Sequence, residues 1–299
     1  MQPEKESRSF LQMLLRNPPA LPFEPTLLPQ LFAVTKDDSS ASMTDLVAII
    51  ERSQKLATRV LAMANSAAYG LAFKVSTLSR AVSILGTNEI RVLAVLVTLA
   101  SVIKETRLPG NFNIMAQWKH QLKTAFAAKA LASELGSATG ICGPSAPAED
   151  RLTMLPDEAY LAGLLHDVGK FIFAARRPDL WQALNEAWKE KGGEYFEAEF
   201  EFWGIDHALI GAEILHHWKL PMLLTEPINW HHAPDLAPTC VMDARILAAA
   251  DYIAHDKSGG ICANAAALLP KGYKAAALAA AVGKGLAAAD AEAMVTLVQ

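Results

Sequence analysis

The residues best suited to do chemistry in this 299-residue chain are histidines and aspartates. His166 and Asp167 stand side by side within an apolar run, Tyr160 to Lys170, that reads as a buried helix. Burying a carboxylate beside an imidazole costs on the order of several kcal/mol unless each finds a partner. A metal ion can serve both, and so can hydrogen bonds in a purely structural pair; the residues alone leave both readings open. Eight histidines are present, and five of them, His120, His166, His207, His231 and His232, fall where helices can meet at one centre. With Asp167 and Asp251 they make five neutral imidazoles and two carboxylates. That donor set suits one or two ions of Fe, Mn or Zn better than calcium. A carboxylate beside a histidine can bridge two such ions, and a shared water that loses its proton near neutral pH is the nucleophile of two-metal phosphoester hydrolysis. Lys170 follows His166 by four residues, so on one continuous helix its ammonium shares that face and can meet a substrate phosphate. Asp167 and Lys170 are therefore the candidate catalytic residues, with a solvated helix-end charge as the plain alternative for Lys170. Gly169 leaves room for a neighbouring helix or ligand to come close.

The other histidines read differently. His216 and His217 follow His207 by nine and ten residues, which on one helix turns them roughly 180° and 280° away from it. They also stand near a helix end, where the dipole favours histidine. His255 follows Asp251 by four residues and can pair with it. The tryptophans at 118, 181, 188, 203, 218 and 230 read as core anchors, because no basic patch accompanies them as nucleic-acid binding would require. A net charge of −4 agrees, so no direct nucleic-acid partner is expected.

The elements that must position these residues all carry helical spacing, and no alternating strand pattern persists. Ser42 or Thr44 starts a helix with Leu46, Ile49 and Ile50 on one face, and Asn65 to Gly70 marks the end of the next. Ser79 can cap a short helix that Gly86 stops, after which Thr87 caps an apolar helix. The apolar core of that helix, Val92 to Ile103, is well short of the ~20 residues a bilayer span needs, so it reads as buried in protein. The loop from Leu108 to Asn113 separates two parts. A helix from about Ile114 then carries Trp118, Leu122 and Phe126 on one face and His120 on another. Gly136 to Pro156 reads as a surface loop, Asp206 as a cap before His207, and Asp243 to His255 as a further helix.

The expected fold is all-α and two-part, an N-terminal helical bundle packed on a helical core. Its expected pieces are 1–112, 113–262 with the metal site, and an alanine-rich helical segment, 263–299. A charged N-terminus without an apolar signal core, and three scattered cysteines without a C-x-x-C, fit a protein of the cytoplasm with no membrane association.

Several of these residues resemble the HDOD domain, a helical bacterial signal-transduction module related to the HD metallophosphohydrolases. The resemblance is carried by Leu21 to Pro25, Asn65 to Gly70, Ala81 to Gly86, Trp118 to His120, Ala162 to Lys170, Trp203 to Gly211, Trp218 to Pro221 and His231-His232. It covers roughly residues 15 to 255 in consistent order. Many HDOD members are thought to be catalytically silent, having lost parts of the ligand signature. Here His120, His166, Asp167 and Asp251 match the HD ligands, and His207, His231 and His232 match the additional positions of the HD-GYP phosphodiesterases. Ala233 to Pro238 replaces the Gly-Tyr-Pro motif, so the cyclic-dinucleotide substrate does not carry over. Arg52 to Leu56 departs from the usual Asp-Pro-x-Leu.

The resemblance implies a regulatory protein that keeps a mono- or dinuclear metal site. It is expected to act in trans on an unidentified protein partner or to bind a phosphate-containing small molecule. The alternatives are an active metal-dependent phosphohydrolase or phosphodiesterase, and a metal-free relative with histidines hydrogen-bonded in the core.

Overall fold

The computed structural model describes residues 2–19, 26–35, 39–66, 69–71, 73–105, 107–137, 147, 150–256 and 260–296, and among these every regular element is a helix. The Leu21–Pro25 motif, Cys142 and most of the segment between Gly136 and Pro156 lie outside the described residues. The chain is all-α. It divides into two compact units, one of residues 1–16, 108–215 and 222–299, the other of 17–107 and 216–221. The sequence pattern joins residues 1–112 into one piece and sets 263–299 apart; in the structure the first helix and the C-terminal helix both belong with the central residues.

The smaller unit contains α2 (Leu27–Val34), α3 (Met43–Glu51), α4 (Gln54–Ala64) and α5 (Leu78–Glu105). Ser42 and Asp45 close a capping box on α3, and the Ser53 hydroxyl accepts from Leu56 N–H at the start of α4. The Arg52–Ser53 departure has a local use: the Arg52 guanidinium donates to Gln30 and to Thr26 Oγ1, tying the α3–α4 turn to the start of α2. Asn65 ends α4 and clamps Val75 through both of its backbone groups, at 2.7 and 2.8 Å. The stretch Leu78–Ser101 is long and apolar enough to cross a membrane by length and composition, and half of its most apolar part is buried. It bends at Gly86, whose φ of 80° only glycine adopts without strain, as expected for a stop between two helices.

The larger unit contains α1 (Gln2–Arg16), α6 (Ile114–Ser137), α7 (Pro156–Leu165), α8 (Val168–Arg176), α9 (Pro178–Lys191), α10 (Tyr195–Trp203), α11 (His207–His217, with 216–217 in the smaller unit) and α12 (Met222–Trp230). A 3-10 turn (Pro234–Leu236), α13 (Val241–His255), α14 (Ala263–Leu268) and α15 (Ala275–Thr296) complete it. Phe10 anchors α1 against Trp203, with ring centroids 5.1 Å apart, and Phe173 stacks on the same indole at 4.4 Å. Alanine-rich α15 buries Leu278, Val282, Leu286 and Ala289, a helical stripe, and Lys119 of α6 pairs with its Asp290 at 2.9 Å. Trp118, Trp181, Trp203 and Trp218 are buried, as core anchors should be, while Trp188 and Trp230 are only half-buried.

Candidate metal centre

α6 begins where the Asn113 side chain accepts from Ala116 N–H, and its buried residues Leu122, Ala125, Leu131 and Ala132 fix which face turns inward. That rotation presents Gln117 and His120 to α7 and α13. α7 is apolar on every side, with Ala159 to Leu165 all buried. Gly163 permits its closeness to α6: a Cβ there would stand 2.6 Å from the Ala125 Cα. The helix does not continue through His166 and Asp167 as the apolar run suggests. Asp167 leaves helical geometry (φ −100°, ψ 11°), α8 starts anew at Val168, and the pair occupies the joint. The new direction is fixed by Gly169, where a Cβ would fall 1.9 Å from the His207 carbonyl oxygen. Lys170 consequently meets Asp167 as an i,i+3 ion pair at 2.7 Å, rather than sharing the His166 face of one unbroken helix.

All seven candidate ligands come together. His120 Nε2 lies 3.2 Å from His166 Nε2 and 3.0 Å from Asp251 Oδ1. His166 Nε2 is 3.4 Å from the same aspartate oxygen. On the other side His207 Nε2 is 3.0 Å from His232 Nε2, and the His231 and His232 rings lie 3.8 Å apart. Asp167 joins the groups. Its Oδ1 is 2.9 Å from His207 Nε2, while Oδ2 is 3.5 Å from both His120 and His166 Nε2. His166, Asp167, His207 and His231 are fully buried or nearly so, whereas the side chains of His120 (12 %) and Asp251 (15 %) open partly to solvent. His255, 62 % exposed, touches Asp251 at 3.5 Å and stacks loosely on His120, as its spacing allows. His216 and His217 are exposed.

The hydrogen bonds select tautomers. Nδ1 of His166 donates to Gly163 O at 2.8 Å, Nδ1 of His231 to Ile228 O at 2.7 Å, and Nδ1 of His207 to Glu199 at 2.6 Å. With Nδ1 committed, a neutral ring carries its lone pair on Nε2, and those atoms face the centre. Yet His231 Nε2, Asp167 Oδ1 and Asp251 Oδ1 are buried without a hydrogen-bond partner, although imidazole nitrogens lie 2.9–3.0 Å from the two oxygens. Donors each about 2.1 Å from one ion stand about 3.0–3.4 Å apart, and the separations here run from 2.9 to 3.5 Å around that range. The described donors form four overlapping groups of three able to hold a cation.

The charges are divided: the carboxylates, His120 and His231 are held in the forms that bind a cation, while His166 and His207 are pushed toward the protonated form. Burial alone would raise Asp167, but His166, Lys170 and His207 hold its carboxyl well below the usual range; Asp251 is held low by His120 and His166 against the same penalty. Burial pushes His231 down to about 3 and His120 down to about 4. His207 goes the other way, to about 9, because Glu199 and Asp167 overcome its burial. Lys170 stays an ammonium, its loss of water outweighed by Asp167 and Asp251.

Four contributors among the described residues lie outside the expected set: His255, which joins His120 and Asp251 in one of the groups of three donors, and three more. Gln117 donates to Asp167 Oδ2 at 2.6 Å, Phe196 stacks on His232 at 4.2 Å, and Glu199 holds His207. Gln117 sits one turn before His120, a spacing that could have marked it.

The HDOD domain model matches residues 21–234. The chain belongs to the HDOD domain family. It is 25% identical over 202 residues to an uncharacterized protein of Treponema pallidum (strain Nichols), a stretch that is 68% of this chain and 36% of that relative. This HDOD chain thus spans about a third of that relative's length. Two solved structures share its fold. One is a Shewanella amazonensis protein provisionally named a phosphohydrolase, with 24% identity, a TM-score of 0.67 and coverage of 94% and 97% of the two chains. The other is an HDOD domain protein of unknown function from Geobacter sulfurreducens, with 21% identity, a TM-score of 0.65 and coverage of 96% and 98%.

Proposed function

We propose that this HDOD protein is a signalling domain built around a centre for one or two transition-metal ions, Fe, Mn or Zn, held by His120, His166, Asp167, His207, His231, His232 and Asp251. One observation carries the reading. Three imidazoles spend Nδ1 on fixed acceptors, and among the Nε2 and carboxylate atoms that converge, His231 Nε2, Asp167 Oδ1 and Asp251 Oδ1 are buried without a hydrogen-bond partner. A purely hydrogen-bonded core would pair those atoms, since each buried unpaired polar group costs about 1–3 kcal/mol. Asp167 turns one oxygen toward each histidine group, so it would help hold an ion on either side. Cobalt(II) added to chelator-stripped protein is expected to give visible ligand-field bands that His166→Ala abolishes; a colourless wild-type titration would favour the metal-free reading.

A second reading, phosphoester hydrolysis, is favoured by Lys170. Its ammonium is 12 % exposed beside Asp167, and the Tyr195 ring lies 5.6 Å away. When bound, the metal would supply Lewis acidity and make water nucleophilic near neutral pH. The chain's own contribution is to hold Lys170 where a phosphoryl oxygen can meet it, and to line that edge with Tyr195 and with Phe196 stacked on His232. Turnover of bis(p-nitrophenyl) phosphate that falls at least tenfold in Lys170→Ala, with metal content unchanged, would establish hydrolysis. Loaded protein without turnover would leave the domain as a binding module, acting on a protein partner or a phosphate-containing ligand in the cytoplasm.

A further inference from the structure

Glu199 lies outside the donor set and is fully buried on α10. Its Oε2 accepts twice from one residue: Nδ1–H of His207 at 2.6 Å and the His207 backbone N–H at 3.0 Å. Its Oε1 is buried without a hydrogen-bond partner. The charge of Glu199 is thus directed at a single imidazole. His166 and His231 have no need of such help, because each donates to a carbonyl three residues earlier, those of Gly163 and Ile228. His207 opens its helix after Gly204 has turned the chain in the left-handed region, so no carbonyl of its own helix precedes it. A side chain from another element must hold the ring.

We infer that Glu199 is a positioning residue of the metal centre, one that holds His207 with Nε2 inward and strengthens it as a donor. A carboxylate accepting from Nδ1–H fixes the tautomer and pushes electron density toward the other nitrogen, so the ligand becomes more basic. The backbone bond ties the start of α11 to α10 and fixes the carboxylate in place, so the ring cannot rotate without losing its acceptor. The inference rests on the metal reading above and assigns to Glu199 no contact with ion or substrate.

The test is a cobalt(II) titration against a competing chelator, on wild type, Glu199→Gln and Glu199→Ala. Glutamine keeps an acceptor for Nδ1–H but loses the charge; alanine loses both. Affinity for the ion at His207 is expected to fall about tenfold in the glutamine variant and up to about 100-fold in the alanine variant. Asp243→Asn is the control for removing a buried carboxylate, since Asp243 binds only Thr153 and Met154 among the described partners. It should lower the melting temperature and leave cobalt affinity at the wild-type value. In metal-free protein, at a pH where the His207 ring is neutral, long-range proton–nitrogen spectra should show it protonated at Nδ1 in wild type and Glu199→Gln, and as a mixture of tautomers in Glu199→Ala. Glutamine keeps the shape of glutamate, so the test survives if the alanine variant fails to fold. Glu199 variants that bind cobalt as wild type does would overturn the inference alone. A wild type that binds none would overturn the metal reading and the inference with it.

Discussion

Asp243 and Asp251 sit eight residues apart on α13, both are carboxylates withdrawn from water, and they are used in opposite ways. Asp243, at the first turn, accepts from the backbone N–H groups of Thr153 and Met154 and from the Thr153 hydroxyl, at 2.6–3.0 Å. Its loss of water still prevails and holds its carboxyl above the usual range. Asp251, two turns later, faces the imidazoles of His120, His166 and His255, with Oδ1 lacking an aligned donor. Its carboxyl is held well below the usual range despite burial. One aspartate fastens a loop to a helix. The other is poised with several nitrogens around a common point. Burial alone therefore does not mark a functional carboxylate in this fold; the kind of partner, and whether its lone pairs are spent, does.

The contrast between the two kinds of aspartate is most vulnerable at Asp167, which shares the character of Asp251. Asp167→Ala or His166→Ala should release the metal altogether, because a shared donor is lost and its neighbours are left unpaired. Asp243→Asn should cost about 1–3 kcal/mol in denaturant unfolding and leave metal content unchanged. Metal loss in both, or in neither, would erase the distinction. A smaller effect is expected from Gly169→Ala, whose new methyl would collide with the His207 carbonyl. Overpacking of this kind costs about 1–3 kcal/mol, read as a lowered unfolding midpoint, and the shift of His207 should weaken metal binding as well.

The gentlest probe is pH, applied to metal-free protein. In the unfolded chain a histidine takes a proton near ~6.5. His231 and His120, held down chiefly by burial, do so in the fold only near about 3 and about 4. Between those values the unfolded chain binds more protons, so stability should fall as pH drops below ~6.5, by on the order of 3–5 kcal/mol per group at most. His207 titrates near about 9 when folded, so its stabilisation is present below ~6.5 and is lost as pH rises toward 9. Unfolding midpoints measured from pH 4 to 9 should peak near pH 6–7. A midpoint flat between pH 4 and 6 would show that the buried histidines are not neutral.

Much of this site was legible in residue types and spacing. The adjacent His166-Asp167 pair in an apolar run, and His231-His232 between a helix and a proline, are rare enough to be noticed. His120 followed because helical periodicity turned it from its helix's apolar face, and Asp251 because it matched the HD ligands in order along the chain. Glu199 was not legible. It stands in an acidic and aromatic stretch with Glu197 and Glu201, which differ from it only in packing: Glu197 is exposed and Glu201 pairs with Lys191 at the surface. Nothing in the local sequence says which acid α10 will turn inward. The joint at His166 was also hidden, because the run has no helix breaker at that point; tertiary contact through Gly169 redirects the chain. The use of Arg52 depended on α2, more than 20 residues away, and no local pattern could announce it.

The most direct test of the metal centre is the metal content of wild-type protein purified without chelator, set against Asp167→Ala and Asp243→Asn. One to two Fe, Mn or Zn ions per chain are expected in wild type and Asp243→Asn, and none in Asp167→Ala. Folded wild-type protein with no transition metal, and none taken up from solution, would contradict a metal centre at these seven residues.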